Sequence, residues 1–366
     1  MMQMNDRVVA EWSREDILAL SLIPKMKATA VRDHVQTYTS LDEYMRYGSH
    51  TESLFAERGS YNDVQDRAKQ QGILCEQNNV SVITWWDDVY PVLLKEIFYP
   101  PAILYVWGNL QSADAVGIGM VGTRHCTQYG KLTAERFAQG FARSHIVVVS
   151  GLAYGIDAVS HKAVVREHGI TYAVIASGID CISPSTAKVL AKEIVAEQGA
   201  IISEYPCGTR ALPAYFPQRN RIISGISQAV VVVESDVKGG SLITAQFALD
   251  QNRELFAVPG NVSSDKSKGT NTLIQRGHAG LVQSPDDVLS ALQIRSVTTQ
   301  DKTPTELALS TSEHTVLALL SLEPKHIDGL AFEAKVPTHE VLVTLMELEF
   351  KGLVRQLPGK SFLRTR

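Results

Sequence analysis

The segment AVGIGMVGTRHCTQYG, residues 115–130, carries three glycines at the spacing of a dinucleotide-binding turn. Gly117, Gly119 and Gly122 match G-x-G-x-x-G, a pattern that needs a strand ahead of its first glycine and a helix after its last. Here the apolar run itself contains Gly117 and Gly119, so both are predicted inside the strand. The pattern therefore disfavours a dinucleotide cofactor and leaves only Gly122 in the loop after the strand.

A second nucleotide motif, the P-loop, also matches this segment poorly. Its glycines are too far apart, and Leu132 stands where a Ser or Thr would hold magnesium. The four cysteines are widely separated and form no C-x-x-C pair, which predicts no structural zinc. We therefore expect neither a cofactor nor a bound metal.

What remains is a series of loops that each follow a predicted strand, at 122–124, 150–157, 177–180, 203–209 and 237–245. Glycine lets a ligand approach the backbone closely, and a helix that starts after such a loop offers unpaired N–H groups. Arg124 and the segment FPQRNR, with Phe216, Arg219 and Arg221, add guanidinium groups and an aromatic ring. This chemistry suits phosphate, and from the residues alone a polynucleotide and a small nucleotide fit equally well.

The elements that must position these loops alternate between short β-branched runs and helical stretches from 115 to 292. Examples are the runs IVVVS (146–150) and AVVVVES (229–235), followed by the stretches DAVSHKAVVREHG (157–169) and SLITAQFALDQN (241–252). This alternation predicts an α/β fold with a doubly wound parallel sheet. Ligands of such sheets bind beyond the carboxyl ends of the strands, where the loops above lie.

Two smaller regions flank the predicted sheet. Apolar residues recur at helical spacing through much of 1–85, and 311–366 outlines three helices and two strands around Pro358 and Gly359, as in a winged helix. The stretch 293–310 is polar and predicts a linker. The predicted domains are a helical N-terminal domain at 1–85, the α/β domain at 86–292 and a C-terminal winged-helix domain at 311–366.

Composition and charge bound the class of protein. A chain of 366 residues with 45% hydrophobic and 20% charged residues is typical of a globular protein with two or three domains. The net charge of −4 excludes a polybasic nucleic-acid binder, so any polyanion site must be local. No apolar run approaches about 18 residues and the N-terminus resembles no signal peptide, so we expect a cytoplasmic protein without a membrane span.

The strand-end loops also carry motifs in a familiar order. VGTRHCTQYG, VVSGLAYGIDAVSHKAV, FPQRNRIISGIS and GTNTLIQRGHAGLV follow the order of the DNA-processing protein A (DprA/Smf) family, which the chain resembles over 115–292. The resemblance implies a Rossmann-like domain, preceded by a SAM-like helical domain. It also implies a non-enzymatic homodimer of natural transformation that binds and protects single-stranded DNA and helps load the RecA recombinase, with single-strand-binding protein as a further partner.

By the same resemblance, four loops are expected to supply the contacts with single-stranded DNA. Arg219 and Arg221 are two positions apart, so on a helix they diverge by about 200°. One is expected to face the groove while the other pairs with an acid such as Glu204 or Glu234. The expected contact residues are Gly122, Arg124, Ser150, Gly151, Gly155, Phe216, Arg219, Asn220, Arg221, Gly239, Gly240, Ser241 and Thr244.

Two titratable residues of the second loop invite comparison with a catalytic pair. Asp157 and His161 are four positions apart and fall on one face of the predicted helix, but the sequence places no nucleophile beside them. We expect Asp157 to cap the helix at its N-terminus. We expect His161 to be a structural histidine.

Two other functions stay open on the residues. A nucleotide phosphoribohydrolase of the lysine-decarboxylase-like type uses a similar sheet, but 238–244 matches its P-G-G-x-G-T-x-x-E signature only in part. A transcriptional regulator would use the winged helix, whose predicted DNA-reading helix carries Glu340, Glu347 and Glu349 and so disfavours the major groove. Its terminal hairpin is basic and could touch a DNA backbone weakly or bind an acidic partner, and for the winged helix we expect protein interaction or a subsidiary role rather than sequence reading.

Overall fold

The computed structural model describes residues 12–24, 26–48, 60–111, 115–294, 309–321 and 323–364. Within these ranges the chain forms two compact units, one built on a large sheet and the other on a small one. Most of the predicted linker, 293–310, lies outside the described residues.

Nine strands form the large sheet within the described residues: β1 (Val80–Thr84), β2 (Ile103–Gly108), β3 (Gly117–Val121), β4 (Val147–Ser150), β5 (Thr171–Ile175), β6 (Ala200–Ser203), β7 (Ala229–Val232), β8 (Glu254–Ala257) and β9 (Gly280–Leu281). Their order is β1-β2-β6-β5-β4-β3-β7-β8-β9. In this order, the seven strands that run from β6 through β5, β4, β3, β7 and β8 to β9 are parallel to their neighbours. This confirms the predicted doubly wound sheet. β1 and β2 add an antiparallel edge, and β1 lies in the segment predicted to be mostly helical.

The central strands form because their residues are apolar on both faces. All residues of β4 and β7 are buried, as expected for β-branched runs covered by helices on each side. Gly117 and Gly119 lie inside β3, as predicted. An added Cβ at Gly119 would lie 3.1 Å from Val230 Cγ2 and 3.2 Å from Ser227 Oγ, so this glycine admits close packing rather than a ligand.

Helices cover both faces of the large sheet: α1 (Arg14–Ser21), α2 (Ala28–Thr37), α3 (Leu41–Tyr47), α4 (Tyr61–Gln77), α5 (Val92–Lys95), α6 (Gln128–Arg143), α7 (Ile156–Arg166), α8 (Lys188–Ala196), α9 (Tyr215–Ile226), α10 (Ser241–Asp250), α11 (Lys268–Gln275) and α12 (Pro285–Ala291). Buried residues of α1–α4 and α8 share one apolar cluster with Tyr105 of β2. Leu104, the residue before Tyr105, joins α5, α9 and α10 in the cluster on the opposite face. No described helix is long and apolar enough to cross a membrane.

The second unit has the outline of a winged helix. Its helices are α13 (Thr311–Ala318), α14 (Ile327–Ala334) and α15 (Thr338–Phe350), and its strands are β10 (Lys325–His326), β11 (Val354–Leu357) and β12 (Ser361–Arg364). β11 and β12 form the predicted hairpin, and β10 adds a third antiparallel strand. Phe362, Leu345 and Leu348 are fully buried in its core.

Candidate functional site

Three loops meet where the strand order reverses, between β3 and β7. The amide of Thr123 donates to the carbonyl of Glu234 (2.9 Å), and the amide of Ile156 donates to the carbonyl of Thr123 (3.2 Å). Gly155 has φ +77°, and an added Cβ there would collide with the Thr123 carbonyl. The loops after β3, β4 and β7 therefore form one packed surface, which holds Arg124 in a fixed position at a crevice where α/β proteins bind ligands.

An exposed arginine lies on an aromatic ring at this surface. The Cζ of Arg124 is 5.3 Å from the ring centroid of Phe216, a half-buried residue in the first turn of α9. A cation–π contact orients the guanidinium without using its N–H donors. These donors can therefore bind an anion such as phosphate in a bidentate way.

Arg219 lies beneath the surface and is only 4% exposed. Its Nη1 donates to the carbonyls of Gly151 (2.5 Å) and Val174, and its Nε donates to Asn220 Oδ1 (3.2 Å). Burial lowers the pKa of Arg219 to about 10, although the nearby Asp157 carboxylate opposes this shift. An added Cβ at Gly151 would collide with the guanidinium, so this glycine makes room for the arginine.

Arg221, two positions on, points to a different side of α9. Its Nη2 donates to Glu204 Oε1 (2.6 Å), and the two side chains are 13% and 19% exposed. This pair confirms the prediction that one of the two arginines binds an acid. The prediction that the other faces the groove is wrong, because Arg219 turns inward to satisfy buried carbonyls at the ends of β4 and β5.

The hydroxyl residues grouped with the expected DNA contacts are also internal. Ser150 Oγ donates to the carbonyl of Met120 (2.6 Å), and Ser241 Oγ donates to Ser235 Oγ (2.9 Å). Thr244 is 1% exposed. These side chains stabilise the loops from within, which differs from the direct contact expected from the sequence.

The glycines of the crevice mostly face protein. An added Cβ at Gly122 would lie 2.5 Å from Ile156 Cγ1, and one at Gly239 would collide with Ser235 Oγ, whereas one at Gly240 would meet open space. Gly240 is the N-cap of α10, and α7, α9 and α10 all begin without a side-chain cap. The amides of Ile156 in α7 and of Leu242 and Ile243 in α10 already donate to carbonyls, so what these helix starts offer an anion is mainly the positive end of the helix dipole.

Two further tyrosines, the exposed Tyr154 and the half-buried Tyr215, lie in the loop after β4 and at the start of α9, and neither was predicted as a contact residue. Tyr154 is 53% exposed in the loop after β4, with its Oη 3.0 Å from Thr186 Oγ1. Tyr215, next to Phe216 in α9, stacks on Tyr205 with ring centroids 4.3 Å apart and planes at 21°. The sequence signal that could have identified Tyr154 is its place between two glycines of a strand-end loop, because an aromatic ring there can stack on a nucleic-acid base.

Asp157 is not the helix cap that the sequence predicts. Gly155 takes the N-cap position of α7, and Asp157 is the second residue of the helix. Its carboxylate accepts a long hydrogen bond from the amide of Ala153 (3.4 Å). Burial raises the pKa of Asp157, while the positive charge of Arg219 opposes that rise.

His161 is a structural histidine, as predicted. The ring is fully buried, with Nδ1 2.7 Å from Thr171 Oγ1. Because the Thr171 hydroxyl already donates to the carbonyl of Val148 (2.6 Å), the histidine Nδ1 must be the donor in this pair. Burial lowers the pKa of His161 to about 3, so the ring is neutral near pH 7.

These features define a class of protein. It is an α/β protein whose switch-point crevice presents a guanidinium, uncapped helix starts and aromatic rings, a combination that suits phosphate and bases. Across the described ranges, no group of three or more His, Cys, Asp or Glu side chains is placed to hold a metal.

Comparison with known families identifies the chain more closely. The family model for DNA recombination-mediator protein A matches residues 81–293, and the model for the DprA winged helix domain matches residues 300–360. The chain therefore belongs to the DNA recombination-mediator protein A (DprA) family. This confirms the resemblance found in the strand-end motifs and the winged helix at the C-terminus.

Individual relatives and solved structures agree with this assignment. The chain is 35% identical over 308 residues to Protein Smf of Escherichia coli K12, covering 82% of each chain. It is 43% identical over 209 residues to DNA processing protein DprA of Bacillus subtilis, covering 57% of this chain and 70% of that protein.

Two solved structures share the fold. The crystal structure of DNA processing protein A from Streptococcus pneumoniae has a TM-score of 0.58 at 30% identity, covering 75% of this chain and 90% of that one. A structure that describes the single-stranded DNA binding mode of DNA processing protein A from Helicobacter pylori has a TM-score of 0.53 at 27% identity, covering 59% and 97%.

Proposed function

We propose that the chain is a non-enzymatic, single-stranded DNA-binding protein of natural transformation, which protects incoming DNA and helps load RecA onto it. The observation that carries the DNA-binding part is the exposed Arg124 guanidinium held on the Phe216 ring at the crevice. The arginine neutralises a backbone phosphate while neighbouring rings stack on bases, a combination that tolerates any sequence. The Helicobacter pylori relative, described by its single-stranded DNA binding mode, supports this assignment.

The expected contact residues divide into two roles in this proposal. Exposed and half-buried positions contact the strand directly, with Tyr154 and Tyr215 as added stacking surfaces. Buried positions, together with the half-buried Arg221 whose guanidinium is paired with Glu204, support the loops and do not contact DNA through their side chains. The direct group is Gly122, Arg124, Gly155, Phe216, Asn220, Gly239 and Gly240, and the supporting group is Ser150, Gly151, Arg219, Arg221, Ser241 and Thr244.

The wider biological role rests on membership of the family. Loading of RecA, contact with single-strand-binding protein, homodimer formation and a cytoplasmic location are proposed on that ground, and no residue is assigned to them. The domain limits 1–85, 86–292 and 311–366 also belong to the proposal.

The DNA-binding part is tested by fluorescence anisotropy of a labelled oligo-dT strand with wild type and Arg124→Ala. A hydrogen bond to a charged group contributes about 1.5–3 kcal/mol, so the variant should bind at least tenfold more weakly. Unlabelled duplex of equal length should fail to displace the strand from wild type. The loading step is then tested by RecA filament assembly on strands coated with single-strand-binding protein.

The matched control is Arg166→Ala, which removes an exposed arginine from the last turn of α7, at the far end of a helix that begins in the crevice. It should bind like wild type. Equal affinities for Arg124→Ala and wild type, or duplex that competes as well as single strand, would reject the crevice as the DNA site. An assay for nucleobase release from nucleoside monophosphates would then test the phosphoribohydrolase alternative.

A further inference from the structure

The outward side of α15 carries a continuous apolar stripe. Leu342, Val343, Met346 and Phe350 are 39%, 56%, 48% and 88% exposed. At 100° per residue these four side chains cover about 100° of the helix circumference. The core side of the same helix is separate and is formed by Val341, Thr344, Leu345 and Leu348. An apolar stripe on both sides of one helix is more than the winged-helix core requires.

Acidic side chains border the stripe on both edges. By the same helical geometry, Glu340 and Glu347 lie on one edge and Glu349 on the other. All three are exposed, and residues 338–350 contain neither Lys nor Arg. The amide of Gln356 in β11 donates to Glu349 Oε1 (3.0 Å), which fixes one of these acids against the hairpin.

This surface is unsuited to duplex DNA. In a winged helix the helix at this position is the one that enters the major groove, where Arg, Lys, Asn and Gln read base edges. The glutamates on α15 would instead be repelled by phosphates, and the apolar side chains offer no hydrogen bonds to bases. Duplex recognition through α15 therefore conflicts with both its charge and its polarity.

Self-association through the stripe is also disfavoured. Every charge on the two edges is negative, so packing two copies of α15 together would place glutamates against glutamates. Such like-charge contacts oppose association. The partner that complements this surface carries apolar side chains between rows of positive charge.

We propose that α15 is a docking surface for an amphipathic helix of another protein, whose apolar ridge is flanked by Lys or Arg. The ridge packs on Leu342, Val343, Met346 and Phe350, and the basic flanks pair with Glu340, Glu347 and Glu349. This is the packing of one helix on another, in which apolar residues at i, i+4 and i+7 of the partner contact the stripe. The winged helix thereby acts as a protein-binding module, independent of the DNA crevice.

The test uses two fluorescent peptides of about 18 residues, long enough to form a helix. Both carry the same leucine ridge, one with Lys flanks and the other with Glu flanks. The full chain should bind the Lys-flanked peptide at least tenfold more tightly. Met346→Asp should weaken that binding at least tenfold, and combined Glu340→Lys and Glu347→Lys should reverse the preference between peptides.

Phe98→Asp is the matched control, because Phe98 is 81% exposed in the other unit. It should bind the Lys-flanked peptide like wild type. Far-ultraviolet circular dichroism of each variant establishes that the fold is kept, as expected for exposed positions. Failure of wild type to bind either peptide, equal binding of both peptides, or equal loss in Met346→Asp and Phe98→Asp would overturn the proposal.

Discussion

Arg124 and Arg219 are close neighbours with opposite surroundings. Arg124 is exposed and lies on an aromatic ring, whereas Arg219 is 4% exposed and binds carbonyls of two other strand ends. Both arginines were predicted to contact phosphate, because the sequence shows the residue type and does not show its burial. Burial of Arg219 could not be predicted, since it depends on Gly151 and Val174, which are distant in sequence.

At the residue scale, His161 should make stability depend on pH. Burial holds its pKa at about 3, against 6.5 for an ordinary histidine, so below pH 6.5 the unfolded chain binds a proton that the folded chain does not. Stability from this group is therefore lost as the pH falls, by about 2 kcal/mol between pH 6.5 and pH 5. Urea unfolding at the two pH values measures the loss.

His161→Gln should remove most of this dependence, whatever its effect on stability at pH 7. The exposed His278→Gln variant is the control and should follow wild type. If His161→Gln and wild type lose the same free energy of unfolding between the two pH values, the assignment of a neutral, buried ring is incorrect.

At the scale of elements, Arg219 joins α9 to the loop after β4 and to the end of β5. Arg219→Ala should lower the free energy of unfolding by about 3 kcal/mol, because it leaves buried carbonyls unpaired and Asp157 without a compensating charge. Arg124→Ala should stay within about 0.5 kcal/mol of wild type, since it removes an exposed side chain. Urea unfolding of the three proteins distinguishes these roles, and equal losses in the two variants would contradict them.

The alternation of strands and helices was predictable because buried β-branched runs and amphipathic stretches are local signals. IVVVS and AVVVVES became β4 and β7, and Gly117 and Gly119 were placed inside β3. The antiparallel edge of β1 and β2 was not predicted, because pairing between residues as far apart in sequence as Val80 and Trp107 leaves no local pattern. The cap of α7 was missed because Gly155 adopts φ +77° to fit the Thr123 carbonyl, a contact between loops.

At the scale of the whole molecule, a net charge of −4 must coexist with a site for a polyanion. The crevice concentrates its positive potential in Arg124 and the N-termini of α7, α9 and α10, while the glutamates of α15 lie in the other unit. The charge at the crevice is therefore local, in a unit that is itself acidic overall. The exposure of Arg124 and the burial of Arg219 follow from the packing of α9 against the strand ends, which the sequence does not reveal.

The most direct measurement of the central claim is the salt dependence of oligo-dT affinity. Each phosphate neutralised on a single strand contributes about −0.7 to the slope of log affinity against log salt concentration. Arg124→Ala should therefore show a slope shallower by about 0.7 than wild type, and Arg166→Ala should keep the wild-type slope. A wild-type slope in Arg124→Ala, or the same change in both variants, would contradict the placement of a DNA phosphate at Arg124.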